Sequence, residues 1–215
     1  YISDDGNADD WEKNCGKGIE EFKKLLNEYK SCKFELEMIR EILKDGHMEF
    51  EIYYRRWCAE NDVDIDNLNK TKSKNVQVIF ENQEKGLIKL EETHQQNTNK
   101  YKKVFREIAR KIHPDKLETS DPRFWEYTNA FKDVNRAIEK QKWGDLFEVV
   151  EKYDIWLTDY DEACEDLQKS INETKYLIES EKKTYSWHLY ECEDDELCKE
   201  KIVKNFLHHL FEWKR

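Results

Sequence analysis

The chain has 215 residues, 40% of them charged and 38% hydrophobic, with a formal net charge of −11 and a mean hydropathy of −1.04. Six Gly and two Pro are too few for the tight turns of a β-sandwich, a barrel or a glycine-loop nucleotide fold, so an all-α fold with long solvated faces is expected. Seven Trp, eleven Tyr and ten Phe supply too much apolar area for a disordered chain, and the negative charge argues against general nucleic-acid binding, which draws on excess Lys and Arg.

Residues 1–10 (YISDDGNADD) read as a flexible acidic tail, and the start at Tyr1, with neither Met nor an apolar stretch, as a processed or trimmed end. Residues 11–60 are expected to form an N-terminal helical hairpin. From 11 to 44, Phe22, Leu25, Leu26, Tyr29, Cys32, Phe34, Leu36, Ile39 and Leu43 recur at helical spacing. Asp45-Gly46 then supplies a stop, and a second helix over 47–60 places Phe50, Tyr53, Tyr54 and Trp57 on one flank. Residues 61–75 have turn-rich chemistry and read as a linker.

A helical core is expected over 76–156. Leu87, Leu90, His94, Tyr101, Phe105, Ile108 and Ile112 fit one long helix from 76 to 112, with QQNTN at 95–99 a place where it can break. It must stop at Ile112 or His113, because Pro114 disfavours helical geometry in the residue before it. Asp121-Pro122 is a start signal, an N-cap acid followed by Pro at the first helical position. Phe124, Tyr127, Phe131, Val134 and Ile138 follow at steps of three and four. Gly144-Asp145 is expected to end that helix and cap a short one carrying Leu146, Phe147, Val149 and Val150.

Residues 157–215 form a C-terminal helical region. Asp159 caps a helix striped by Ala163, Leu167, Ile171 and Ile178, regularity fails around Trp187, and a last helix over 194–213 shows Ile202, Phe206, Leu210 and Trp213. These heptad-like stripes fit coiled-coil pairing either within one chain or between chains, so a homo-oligomer is compatible with them. No run approaches the roughly 18 consecutive apolar residues of a membrane span.

Cysteines stand at 15, 32, 58, 164, 192 and 198, none in CxxC spacing. Their even number permits three disulfides in a secreted protein, and Asn69-Lys-Thr and Asn172-Glu-Thr are glycosylation-type triplets. A chain this long folds without such staples. Reduced, partly buried thiols are therefore expected, with the cytoplasm as the expected location and a secreted or lumenal one as the alternative. His188, Cys192, Cys198, His208 and His209 are too untidily spaced for zinc; no metal and no cofactor is expected. Trp125, Trp143, Trp156, Trp187 and Trp213 read as packing residues rather than the lining of a client groove. No Ser–His–Asp pattern or P-loop suggests an enzyme.

The segment with mechanistic content is YKKVFREIARKIHPDKLETSDPRFWEYTNAFKDVNRAI, residues 101–138. Tyr101, Phe105, Ile108 and Ile112 form an apolar seam, while Lys102, Lys103, Arg106, Arg110 and Lys111 occupy most of the rest. Five cations in ten residues reverse the local sign of an acidic chain and suit an acidic partner. The helix ends in His113-Pro114-Asp115-Lys116, ahead of a helix with F-x-x-Y-x-x-A-F spacing (Phe124, Tyr127, Ala130, Phe131).

This segment resembles the J domain of Hsp70 co-chaperones, through the basic helix, the HPD turn and the aromatic third helix. The resemblance covers about 40 residues, and residues 74–94 stand where a first J-domain helix would be. The spacing from Asp115 to Phe124 is shorter than in common J domains, no basic QKR-like element is evident, and the Gly/Phe-rich linker and the CxxCxGxG zinc domain are lacking. The resemblance implies that His113, Pro114 and Asp115, supported by Lys102, Lys103, Arg106, Arg110 and Lys111, dock on an Hsp70-type chaperone and promote its ATP hydrolysis and capture of an unidentified client. The alternative is a non-enzymatic structural or assembly protein in which this hairpin is scaffold, Pro114 merely stops a helix and His113 is a loop residue. A third reading, local nucleic-acid contact by the basic helix, predicts steep salt dependence.

Overall fold

The computed structural model describes the backbone of residues 8–65, 68 and 100–213, and side chains from Gly18 onward. Among the described residues all regular structure is helical, as expected: α1 (Ala8–Glu60), α2 (Lys102–Ile112), a 3-10 turn (Pro114–Lys116), α3 (Phe124–Glu139), α4 (Trp143–Lys152), α5 (Tyr160–Lys182), α6 (Tyr185–Glu191) and α7 (Glu196–Phe211). Leu87, Leu90, His94 and most of the expected 61–75 linker lie outside the described residues.

The expected N-terminal hairpin is instead one 53-residue helix, which also takes in Ala8–Asp10 from the expected tail. Asp45-Gly46 does not stop it, because Gly46 keeps a negative φ. Interior glycine costs a helix only about 1 kcal/mol. Leu43 and Phe50, buried on either side, return about 1.5–3 kcal/mol each. The helix does end near Glu60, where Asp62 adopts φ 56° and Val63 N–H bonds Cys58 O at 2.9 Å.

That ending recurs. Gln141 and Asp154 are also left-handed, and in both cases the next backbone N–H reaches five residues back, Lys142 to Ala137 and Ile155 to Val150; after left-handed Glu212, Trp213 N–H reaches six back to Leu207. This is the hydrogen bond that closes a helix around a left-handed residue. Glu193, after α6, shares the conformation.

The chain forms two compact units, Tyr1–Lys33 with Thr93–Lys175, and Phe34–Glu92 with Tyr176–Arg215. In the first, α1 and α5 run in the same direction: a Cβ at Gly18 would lie 3.3 Å from Tyr160 Cβ, and Lys175 bonds Glu28 at 2.7 Å. Asp159 accepts the Glu162 N–H at 2.9 Å, the expected cap. Ala163, Leu167 and Ile171 are fully buried.

Two expected signals near α3 and α4 are corrected. α3 begins at Phe124, not Pro122. Asp121 still receives the Arg123 N–H (2.8 Å), but within a turn closed by Phe124 N–H to Asp121 O (3.0 Å). Gly144 neither ends α3 nor caps α4; it lies in the first turn of α4, and the chain reverses at left-handed Gln141. A Cβ at Gly144 would stand 2.4–2.6 Å from the Tyr29 ring. Glycine is needed there so that Tyr29 can cross α4 and donate its hydroxyl to Asp145 Oδ1 at 2.9 Å.

In the second unit, α1 from Phe34, α5 from Tyr176, α6 and α7 enclose Phe50, Tyr54, Trp57, Cys58, Leu189, Val203 and Leu207. Phe34, placed on the expected core stripe, is instead 65% exposed, since it turns away from the face that carries Leu36, Ile39 and Leu43. The region around Trp187 is helical because Thr184 accepts the Trp187 N–H and caps α6. In α7 the fully buried positions are Val203 and Leu207, one residue on from the expected Ile202 and Phe206. Phe206 packs edge-on against Phe50 and Tyr54, each at 5.0 Å, from the rim of the core.

Cys192 and Cys198 form a disulfide, with Cα atoms 5.5 Å apart. This corrects the expectation of reduced thiols for that pair. The reversal between α6 and α7, fixed by Asp195 accepting the Leu197 and Cys198 N–H groups, brings together two cysteines whose sequence spacing resembles no motif. Cys58 remains a buried thiol, pushed up to about 11 by that burial. Trp143 and Trp187 pack as expected, whereas Trp125 and Trp156 are 67% and 74% exposed.

Candidate functional site

α2 owes its position to Val104, Ile108 and Ile112, buried on one face. Its neighbour α3 runs antiparallel: Phe105 meets Phe131 at 5.8 Å, while Tyr101 and Lys102, at the start of α2, share a cavity wall with Ile138 and Glu139, at the end of α3. The HPD turn joins the two helices. His113 closes the last turn of α2, its N–H on Ala109 O at 3.2 Å, and then takes the extended φ −62°, ψ 127° that Pro114 imposes. Pro114–Lys116 form one 3-10 turn, with Lys116 N–H on His113 O (3.1 Å) and Leu117 N–H on Pro114 O (3.0 Å).

Within the turn, Asp115 N–H donates to His113 Nδ1 at 3.3 Å, which leaves Nε2 as the ring's donor. The imidazole edge rests on Phe131, with centroids 4.8 Å apart. Phe131 thus serves as the platform beneath His113. The Asp115 carboxylate is 87% exposed, 3.6 Å from the same Nδ1, and the His113 side chain is 36% exposed. A braced imidazole and a displayed carboxylate can engage a partner's hydrogen-bonding groups.

The five cations of α2 divide into two groups. Lys111 Nζ donates to Tyr153 O and Asp154 O, each at 2.8 Å, and so caps the C-terminus of α4. Arg110 pairs with Glu107. Lys116 Nζ binds Arg110 O across the turn. Lys102, Lys103 and Arg106 are exposed and, among the described residues, have no carboxylate partner. All five cations lie on one short helix, but among the described residues only these three are left without an intramolecular partner.

The sequence offered no local signal for the task of Lys111, because its acceptors lie 42 and 43 residues away. Nor did it mark exposed Trp125, which stacks edge-on with Phe124 (5.5 Å) at the start of α3. Among the described residues no group of three or more His, Cys, Asp or Glu could hold a metal ion, and no helix is long and apolar enough to cross a membrane. No protein-family model matches the chain, and no curated protein and no solved structure matches it.

Proposed function

We propose that the protein is a J-domain-type co-chaperone or adaptor that docks on an Hsp70 through the basic face of α2 and the HPD turn and stimulates its ATPase. One observation carries the reading: His113 and Asp115 are displayed at the tip of an antiparallel helical hairpin whose first helix also exposes Lys102, Lys103 and Arg106, with no carboxylate partner among the described residues, in a chain of charge −11. The opposite arrangement, a buried turn under a covered basic face, would have favoured scaffold. The Cys192–Cys198 bond supports an oxidising compartment, so the matching Hsp70 is a lumenal one.

The test is a single-turnover ATPase titration of an Hsp70 with wild-type protein and with Asp115→Asn. The backbone N–H of Asp115, not its carboxylate, bonds the His113 ring, so the variant keeps the turn. Stimulation by wild type and its loss in the variant is the expected outcome. Equal stimulation, or none by either protein, returns the hairpin to scaffold, a reading favoured by the use of Lys111 and Lys116 inside the fold.

A further inference from the structure

At the end of α2 away from the HPD turn, two concave features adjoin. A cavity of about 260 Å³ has Tyr101, Phe105, Ile138 and Trp143 as apolar lining, with Lys102 on one wall and Asn135 and Glu139 on the α3 side. A cleft of about 360 Å³ follows the other side of α2 and includes Lys102, Lys103 and Arg106. Tyr101 and Lys102 belong to both. The cleft also contains Lys100, Asp159 and Glu162, but these are occupied: Lys100 pairs with Glu162 and Asp166, and Asp159 caps α5. The charge left over is that of Lys102, Lys103 and Arg106, which have no carboxylate partner among the described residues.

We infer that this end of α2 is a peptide-docking site, taking an acidic segment with one large apolar side chain. The apolar residue enters the 260 Å³ cavity, and its acidic neighbours lie along Lys102, Lys103 and Arg106. Glu139, on the α3 wall, requires that the residues on that flank be uncharged. A phosphate backbone would satisfy the cations but leave the apolar cavity empty, which is why a peptide rather than a nucleic acid is the occupant. Charge complementarity sets orientation and encounter rate, and burial of the apolar side chain holds the segment in place. The site shares Lys102, Lys103 and Arg106 with the proposed chaperone-docking face but uses no atom of the HPD turn, so Asp115→Asn tells the two readings apart.

The probe is the fluorescein-labelled hexapeptide Glu-Glu-Asp-Leu-Ser-Ser, measured by anisotropy with the full chain at low salt and mapped by amide chemical shifts. Perturbed amides are expected at residues 101–106 and 135–143. Replacing the probe's Leu with Ser should weaken binding about tenfold, as should Lys102→Glu/Arg106→Glu in the protein, with an unchanged thermal midpoint showing that the fold is intact. Asp115→Asn should leave probe binding as it was. Absence of binding, indifference to the Leu, shifts elsewhere, or equal perturbation of the same amides by a uridine decamer would each overturn the inference.

Discussion

In the first unit, hydroxyls and ammonium groups reach for carboxylates: Tyr101 and Lys100 both meet Asp166 at 2.7 Å, and Tyr29 and Lys33 meet Asp145 at 2.9 and 2.7 Å. Both units pack rings edge-on, but in the second, where Phe206 meets Phe50, Tyr54 and Tyr185 and Trp213 meets Trp57, the hydroxyl–carboxylate pair Tyr53–Glu196 is exposed. Hydrogen bonds to charge are directional and fix register. Ring packing supplies area and tolerates small shifts. The unit that displays the HPD turn is thus the one with a buried carboxylate pinning its helices. Burial first, and the adjacent aspartate second, hold the Tyr29 and Tyr101 hydroxyls far above the ordinary tyrosine range, so both remain donors at any physiological pH.

That contrast can be broken experimentally. The largest effect is expected from Asp166→Ala, since Asp166 is only 3% exposed and its loss strands the Tyr101 hydroxyl and leaves the Lys100 ammonium with Glu162 alone. About 3–4 kcal/mol should disappear in denaturant unfolding; a loss below about 1 kcal/mol would mean that packing alone holds this unit. Gly144→Ala should cost about 2–3 kcal/mol through its collision with the Tyr29 ring. Combined with Tyr29→Ala, the two costs should fail to add, because the same contact is removed twice.

In the second unit, Cys192→Ser/Cys198→Ser should lower stability by about 2 kcal/mol, the loop-closure contribution of a short crosslink. The change should be the same in wild type treated with reductant. The smallest effect concerns Tyr53 and Glu196, joined at 2.8 Å. The Tyr53 hydroxyl hydrogen bond, first among the causes, holds the Glu196 carboxyl below its ordinary 4.5, so its contribution is present above 4.5 and fades as pH falls through the lowered value. Burial and then Glu196 push Tyr53 up to about 12 from 10.0, so its contribution is complete below 10.0 and lost as pH rises through about 12. Tyr53→Phe should remove the alkaline slope, weaken the acid one, where Lys199 still acts on Glu196, and remove one late transition from the tyrosinate absorbance titration.

The sequence disclosed what local physics controls. Pro114 sets the end of α2, Asp159 the start of α5, and the spacing of Ala163, Leu167 and Ile171 the buried face of α5. The expectations at Asp45-Gly46 and Gly144 failed for a shared reason. Both took glycine as the residue that turns a helix end, whereas this chain turns with Asp62, Gln141, Asp154 and Glu212 and keeps its described glycines inside helices. Glycine at 144 answers to a ring 115 positions earlier, a relation that no window along the chain contains. The candidate site was legible as a cluster of cations ahead of HPD. Which of those cations the fold consumes was not, because the acceptors of Lys111 belong to the end of another helix.

The left-handed helix ends open a practical route to a hardier reagent. A side chain carrying a Cβ is disfavoured in that conformation by about 1–2 kcal/mol, while glycine gives back part of the gain through its greater freedom in the unfolded chain. Asp62→Gly and Glu193→Gly, at the left-handed ends of α1 and α6, should each add roughly 0.5 kcal/mol. Both positions lie outside α2, the HPD turn and residues 135–143, so a toughened variant would serve ATPase and peptide assays without altering the surface under test.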